Sequence, residues 1–258
     1  MPINSKLNLA FVHIPRTGGT YIEHLMGVHQ DRPDSGFKGS YNHFFDGVHI
    51  FGRSLQHLGF HDLVFLLGED APSYYWFTVI RNPHDRLQSI ISHTLASPLA
   101  QTSFAAFLRV CLKIIKIKLK QRLAFLRHGL FVGKRFAQIN VMTPEEQHLM
   151  PQAAFMRGGR ALWKTVNPTL SVFPFEAINA LSTSVRGLDP EKVTGKPNAS
   201  KDKRLPPLTI RYSIRILSFL LYREDFKIYK AALSGWESRQ PLKLQFSKPI
   251  NCHSLHKQ

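Results

Sequence analysis

The sequence predicts an α/β protein: a mainly parallel sheet flanked by helices. Three observations carry that expectation. Short apolar runs rich in β-branched and aromatic residues recur along the chain. Stretches with helical spacing follow them. Gly, Pro and Asn punctuate the steps between strand and helix. Strands that alternate with helices bury both sheet faces and favour parallel pairing. The 258 residues suit one domain, residues 1–258, with excursions.

The elements read as follows. "LNLAFVHI" (7–14) is a buried strand that stops at Pro15. "GTYIEHLMG" (19–27) is a short helix, with Tyr21, Ile22, Leu25 and Met26 at helical spacing. Residues 28–60 are rich in Gly, His, Asp and Asn up to about position 55 and read as a variable loop region. "HDLVFLLG" (61–68) is a helix, and "SYYWFTVI" (73–80) is a second strand. "NPHDRLQSIISHTL" (82–95) opens a helix with Asn82 as cap and Pro83 in its first turn. Residues 103–127 read as a helix with Phe104, Leu108, Cys111, Leu112, Ile115 and Leu119 on one face and Lys113, Lys116 and Lys120 opposite. "LSVFPFEAINALSTSV" (170–185) is a strand then a helix, and 206–233 forms one or two C-terminal helices. "TGKPNASKDKR" (194–204) is the one linker-like stretch.

Charge narrows the function. Thirty-four Lys and Arg against 17 Asp and Glu leave +17. Such a surface attracts anions: nucleotides, nucleic acid, acidic membranes or polyanionic glycans. Two cysteines, Cys111 and Cys252, make neither a disulfide framework nor a metal-ligand spacing. A reduced, cytoplasmic setting is expected, because the first 30 residues lack the apolar core of a signal peptide. No apolar run reaches the roughly 18–20 residues of a membrane span.

The stretch "FVHIPRTGGTYIE" (11–23) joins a strand, a basic residue, a Gly-Gly loop and a helix start. Together these can cradle a phosphate: glycine lets backbone approach an anion, helix-start N–H groups point at it, and Arg16 adds charge. A plain turn with an exposed arginine is the alternative. The loop lacks the G-x-x-x-x-G-K-[ST] spacing of ordinary nucleoside triphosphatases. "FTVIRNPHDRLQSIISH" (77–93) repeats the plan. Arg81 stands at the strand end, and Ser89 falls eight residues later, two turns into the helix. Two cations at the carboxyl ends of strands match the place where ligands bind α/β sheets.

"HIPRTGGT" and "VIRNPHDRLQS" together resemble the paired signatures of carbohydrate sulfotransferases, in particular the group related to heparan sulfate 2-O-sulfotransferase. "MPQAAFM" (150–156), "FPFEAINAL" (173–181), "KPNAS" (196–200) and "LYREDFKIYKAAL" (221–233) are similar to later family segments, in the same order. The resemblance implies a P-loop-like sulfotransferase fold. It implies transfer of a sulfuryl group from 3′-phosphoadenosine 5′-phosphosulfate (PAPS) to a carbohydrate hydroxyl, without a metal. The first motif would place Arg16, Thr17, Gly18, Gly19, Thr20 and Tyr21 at the 5′-phosphosulfate. The second would place Arg81 and Ser89 at the 3′-phosphate, with Asn198 and Ser200 also on the donor. The family usually carries Lys where this chain has Arg16. Arginine keeps the charge but does not readily release a proton, so the rate of transfer is what the change puts in doubt.

A base should take the acceptor proton. Of 13 histidines, His57 is favoured, 24 residues before Arg81, a place similar to that of a family histidine. His61 and His49 are the alternatives, and His43 lies in the same region. Glu69 and Asp70 fit less well, at a helix end near the strand. The basic run at 109–128 reads as a solvated helix face, a wall for an anionic glycan, or a peripheral membrane contact. Nucleic acid is not the expected partner. A binding protein on a degenerate sulfotransferase fold remains the second hypothesis, and a nucleotide kinase the third.

Overall fold

The structure, a computed structural model, describes residues 3–28, 57–92, 104–128, 148–156, 168–193 and 207–245. Its centre is a five-stranded mixed sheet in chain order. Strands β2 (Leu9–Val12), β3 (Tyr75–Ile80) and β4 (Leu170–Pro174) are parallel neighbours. Short edge strands, β1 (Ile3–Asn4) and β5 (Leu242–Leu244), pair antiparallel with β2 and β4. These edges fall outside the strands the sequence reveals, because two or three residues make no period.

The central strands read as continuous apolar runs because both faces are covered. Ala10, Val12, Trp76, Ile80, Leu170 and Val172 point to one face. There they meet α2 (Phe60–Leu67), α5 (Gln152–Met156) and α8 (Arg223–Glu237). Leu9, Phe11, Phe77, Val79 and Phe173 point to the other and meet α1 (Gly19–Leu25) and Leu181 of α6 (Leu181–Ser184). A third cluster lies between α3 (Pro83–Ile90), α4 (Phe104–His128) and α7 (Leu208–Leu221).

Three expectations change. The helix expected after β4 is a 3₁₀ segment, Phe175–Ala180, followed by the single turn α6. The first strand begins at Leu9, since Asn8 is left-handed at φ 52°. On α4 the expected core face is turned out: Phe107, Val110 and Ile114 are buried, while Leu108, Leu112, Ile115 and Leu119 are exposed. Two apolar stripes run along this helix, and spacing alone does not say which one the core takes. Asn82 caps α3 as expected, its side-chain oxygen accepting from the His84 N–H at 3.0 Å. Among the described residues no helix is long and apolar enough to cross a membrane. The linker-like stretch and nearly all of the 28–60 loop region lie outside the described residues.

Candidate functional site

Arg16 and Arg81 follow the carboxyl ends of β2 and β3, two adjacent parallel strands. Ser89, on α3, meets the first of them: the Arg16 Nε–H donates to its hydroxyl at 3.1 Å. Burial lowers the pKa of Arg16, and the nearby positive charge of Arg81 lowers it further. Burial also lowers Arg81, against the raising effect of Asp85 and Glu176. The Arg81 guanidinium lies 4.8 Å from the centroid of Phe175, a cation–π contact. No carboxylate of the described residues lies within ion-pair distance of either arginine. Two half-buried cations, one of which disfavours the charge of the other, make a place where an anion is stabilised.

The loop between them is built differently from the expectation. Arg16 and Gly18 are both left-handed, at φ 68° and φ 86°. A Cβ on Gly18 would sit 2.5 Å from Cδ1 of Ile178 and 3.0 Å from the Phe175 ring. A Cβ on Gly19 would overlap the imidazole of His13. Side chains packed against the loop, with the left-handed φ at Gly18, thus require glycine at both positions. Thr17 is fully buried, and its hydroxyl donates to the Ile14 carbonyl at 2.9 Å, bracing the turn. Thr20 and Tyr21 lie half-buried in the first turn of α1, and Tyr21 packs on the second core cluster.

Behind the loop stands a group of histidines. His13 and Glu23 are both buried, with Nδ1 of His13 2.8 Å from Oε1 of Glu23. The His57 Nδ1 lies 3.1 Å from the backbone carbonyl of His13. A carbonyl only accepts, so His57 carries its proton on Nδ1, and Nε2 of the neutral ring keeps its lone pair. The His57 ring meets those of His13 at 4.7 Å and His148 at 5.5 Å, both edge-on. Burial, then the neighbouring His13, hold its pKa well below 6.5; the carbonyl bond opposes this, and His148 and Arg86 add to it. His57 is thus deprotonated throughout the neutral range.

Several residues that matter here carry no signal in the sequence. Arg86 is 1% exposed, and its fork reaches three carbonyls: Nε to Pro15 at 3.0 Å, Nη1 to Met150 at 3.0 Å and Nη2 to His148 at 2.9 Å. It ties the Arg16 loop to the segment before α5. Gln152 holds Arg81 by its backbone: Oε1 accepts from the Arg81 N–H at 2.9 Å and Nε2 donates to the Arg81 carbonyl at 2.8 Å. Asp225 in turn accepts from the backbone N–H groups of Gln152 and Ala153 at 2.8 and 2.9 Å, at the start of α5. Negative charge is favoured at that helix end. The Tyr229 hydroxyl donates to Glu176 at 2.6 Å, beside Arg81.

His43, His49, Asn198 and Ser200 lie outside the described residues, as does the side chain of His61. Glu69 and Asp70 are exposed on a 3₁₀ segment, Gly68–Ser73. Among the described residues no His, Cys, Asp and Glu cluster suits a metal ion. No protein-family model, no curated protein and no solved structure matches the chain.

Proposed function

We propose that the protein is a sulfotransferase that moves the sulfuryl group of PAPS to a hydroxyl of a carbohydrate acceptor, on a P-loop-like sulfotransferase fold. The observation that carries this reading is the Arg16–Ser89–Arg81 group at the ends of two parallel strands. Its cations are half-buried, the charge of Arg81 disfavours that of Arg16, and no described carboxylate lies within ion-pair distance of either. That combination suits a ligand with two separate anionic groups. PAPS has two such groups, the 3′-phosphate and the 5′-phosphosulfate, and the second carries the activated sulfuryl at its end.

In this reading Arg81, its backbone fixed by Gln152, holds the 3′-phosphate, and Phe175 limits where its guanidinium can turn. Arg16 faces the 5′-phosphosulfate and stabilises the charge left on the leaving phosphate oxygen, as cations do in phosphoryl transfer. The acceptor oxygen bonds to sulfur, the sulfur–oxygen bond to the 5′-phosphate breaks, and the hydroxyl proton passes to Nε2 of His57. The +17 charge favours an anionic acceptor. One observation favours binding without transfer: the Arg16 Nε–H is already engaged by the Ser89 hydroxyl, and a planar guanidinium follows a moving sulfuryl group less readily than a lysine ammonium.

Titration calorimetry with adenosine 3′,5′-bisphosphate tests the donor site. Tight binding supports the reading, and absence of binding removes it. A sulfate-transfer assay on a panel of glycans then separates catalysis from binding alone.

A further inference from the structure

Of the eleven large hydrophobic residues exposed among the described residues, nine lie on two helices. On α4 they are Leu108, Leu112, Ile115 and Leu119, and on α7 Leu208, Tyr212, Ile216, Phe219 and Leu220. The two helices share one core: Phe107, Val110 and Ile114 pack in the same cluster as Ile210 and Ile214. Each helix is therefore apolar on two sides, one turned inward and one outward.

Cations edge both outward stripes. At 100° per residue the four α4 residues span an arc of roughly 60°, with Lys116, Arg109 and Lys113 on the arc beside it. On α7, Arg211 and Arg215 border the apolar arc in the same way. Arg215 lies over the Tyr212 ring at 6.0 Å, and Arg223 over Phe219 at 5.8 Å. Together α4 and α7 carry nine Lys and Arg and no Asp or Glu. An apolar stripe beside cations with long aliphatic stems suits an interface of acyl chains and anionic headgroups. A second copy of the chain would set Lys and Arg against Lys and Arg. A glycan would leave the leucines uncovered.

We propose that α4 and α7 form a docking surface for an anionic lipid bilayer, with the exposed apolar residues entering the headgroup boundary. This rests on the surface alone and is independent of the sulfotransferase reading.

The test is co-sedimentation of the full chain with vesicles of phosphatidylcholine containing about a third phosphatidylserine, beside pure phosphatidylcholine. Binding to the anionic vesicles is expected to exceed binding to the neutral ones tenfold or more, and to fall steeply with salt. Leu112→Gln with Ile216→Gln should lower it at least tenfold with unchanged melting, since both side chains are exposed. Lys116→Glu should lower it severalfold, while Lys243→Glu, the same charge change on β5, should leave it near the parent value. Equal binding to both vesicle types overturns the proposal, as does equal loss from Lys116→Glu and Lys243→Glu. So does a dimer in lipid-free light scattering that Leu112→Gln dissolves, or a sulfated polysaccharide bound tightly by a chain that ignores vesicles.

Discussion

Replacing Arg86 with methionine tests the framework behind the candidate site. Methionine fills the volume of the aliphatic stem but removes the guanidinium. Three bonds from a charged donor disappear, and the carbonyls of Pro15, His148 and Met150 lose that donor. Relief from burying a cation offsets part of the loss. The balance is a destabilisation of about 3–5 kcal/mol. For a chain of this length that lowers the melting temperature by roughly 10 °C. Urea unfolding followed by circular dichroism measures it, provided the slope with denaturant is unchanged. Arg86→Lys keeps the charge on a single compact ammonium that does not span three carbonyls as the fork does, and should recover less than half. A loss under about 1 kcal/mol in the methionine variant would show that the carbonyl network contributes nothing net. Full recovery with lysine would show that charge, and not the fork, is what the site needs.

Other outcomes follow from the site. Arg81→Ala should weaken adenosine 3′,5′-bisphosphate by about one to a few kcal/mol and leave adenosine 5′-phosphosulfate nearly untouched; equal losses in calorimetry would remove the 3′-phosphate assignment. Gly18→Val should abolish donor binding because its side chain strikes Ile178 and Phe175 and needs a φ of 86°; a variant that binds normally would show that the loop tolerates the displacement. His57→Ala should cut turnover roughly 10²–10⁴-fold with donor affinity unchanged, and near-normal turnover would move the base elsewhere. The acid limb of activity should lie well below pH 6.5, because the His57 pKa is depressed by burial. The depressed pKa also means that the unfolded chain binds a proton below about 6.5 that the folded chain refuses. Stability held above that pH should therefore fall on acidification, by at most about 1.4 kcal/mol per pH unit from this group, and His57→Gln should flatten the slope.

The parts of the fold visible in the sequence are those with a strong local period. β2 and β3 stand out because both their faces are buried, so every residue in "LAFV" and "WFTVI" is apolar or, for Thr78, bonded to a carbonyl. Arg16, Arg81 and Ser89 could be expected to meet because each is tied to a strand end or to the helix just after one. The reason for Gly18 and Gly19 was not legible: it lies in Ile178, Phe175 and His13, and only the folded chain brings these to the loop. Arg86 and Gln152 act on partners 62 to 71 residues away, a distance at which no spacing rule operates. On α4 the expected face is the stripe of Leu108, Leu112, Ile115 and Leu119, but the stripe of Phe107, Val110 and Ile114 is the one that packs with Ile210 and Ile214 of α7.

The parallel pairing at the sheet centre joins distant stretches of chain: the Thr78 hydroxyl donates to the Val12 carbonyl across 66 residues. The entropy of closing such a loop grows only with the logarithm of its length, so doubling it costs about 0.6 kcal/mol, less than one hydrogen bond. The Arg16–Arg81 pair is set by the ends of β2 and β3, and α1 and α2 of the chain between them pack on the two faces of that sheet. Lengthening the chain between α1 and α2 should therefore cost little as long as both helices keep their places on the sheet.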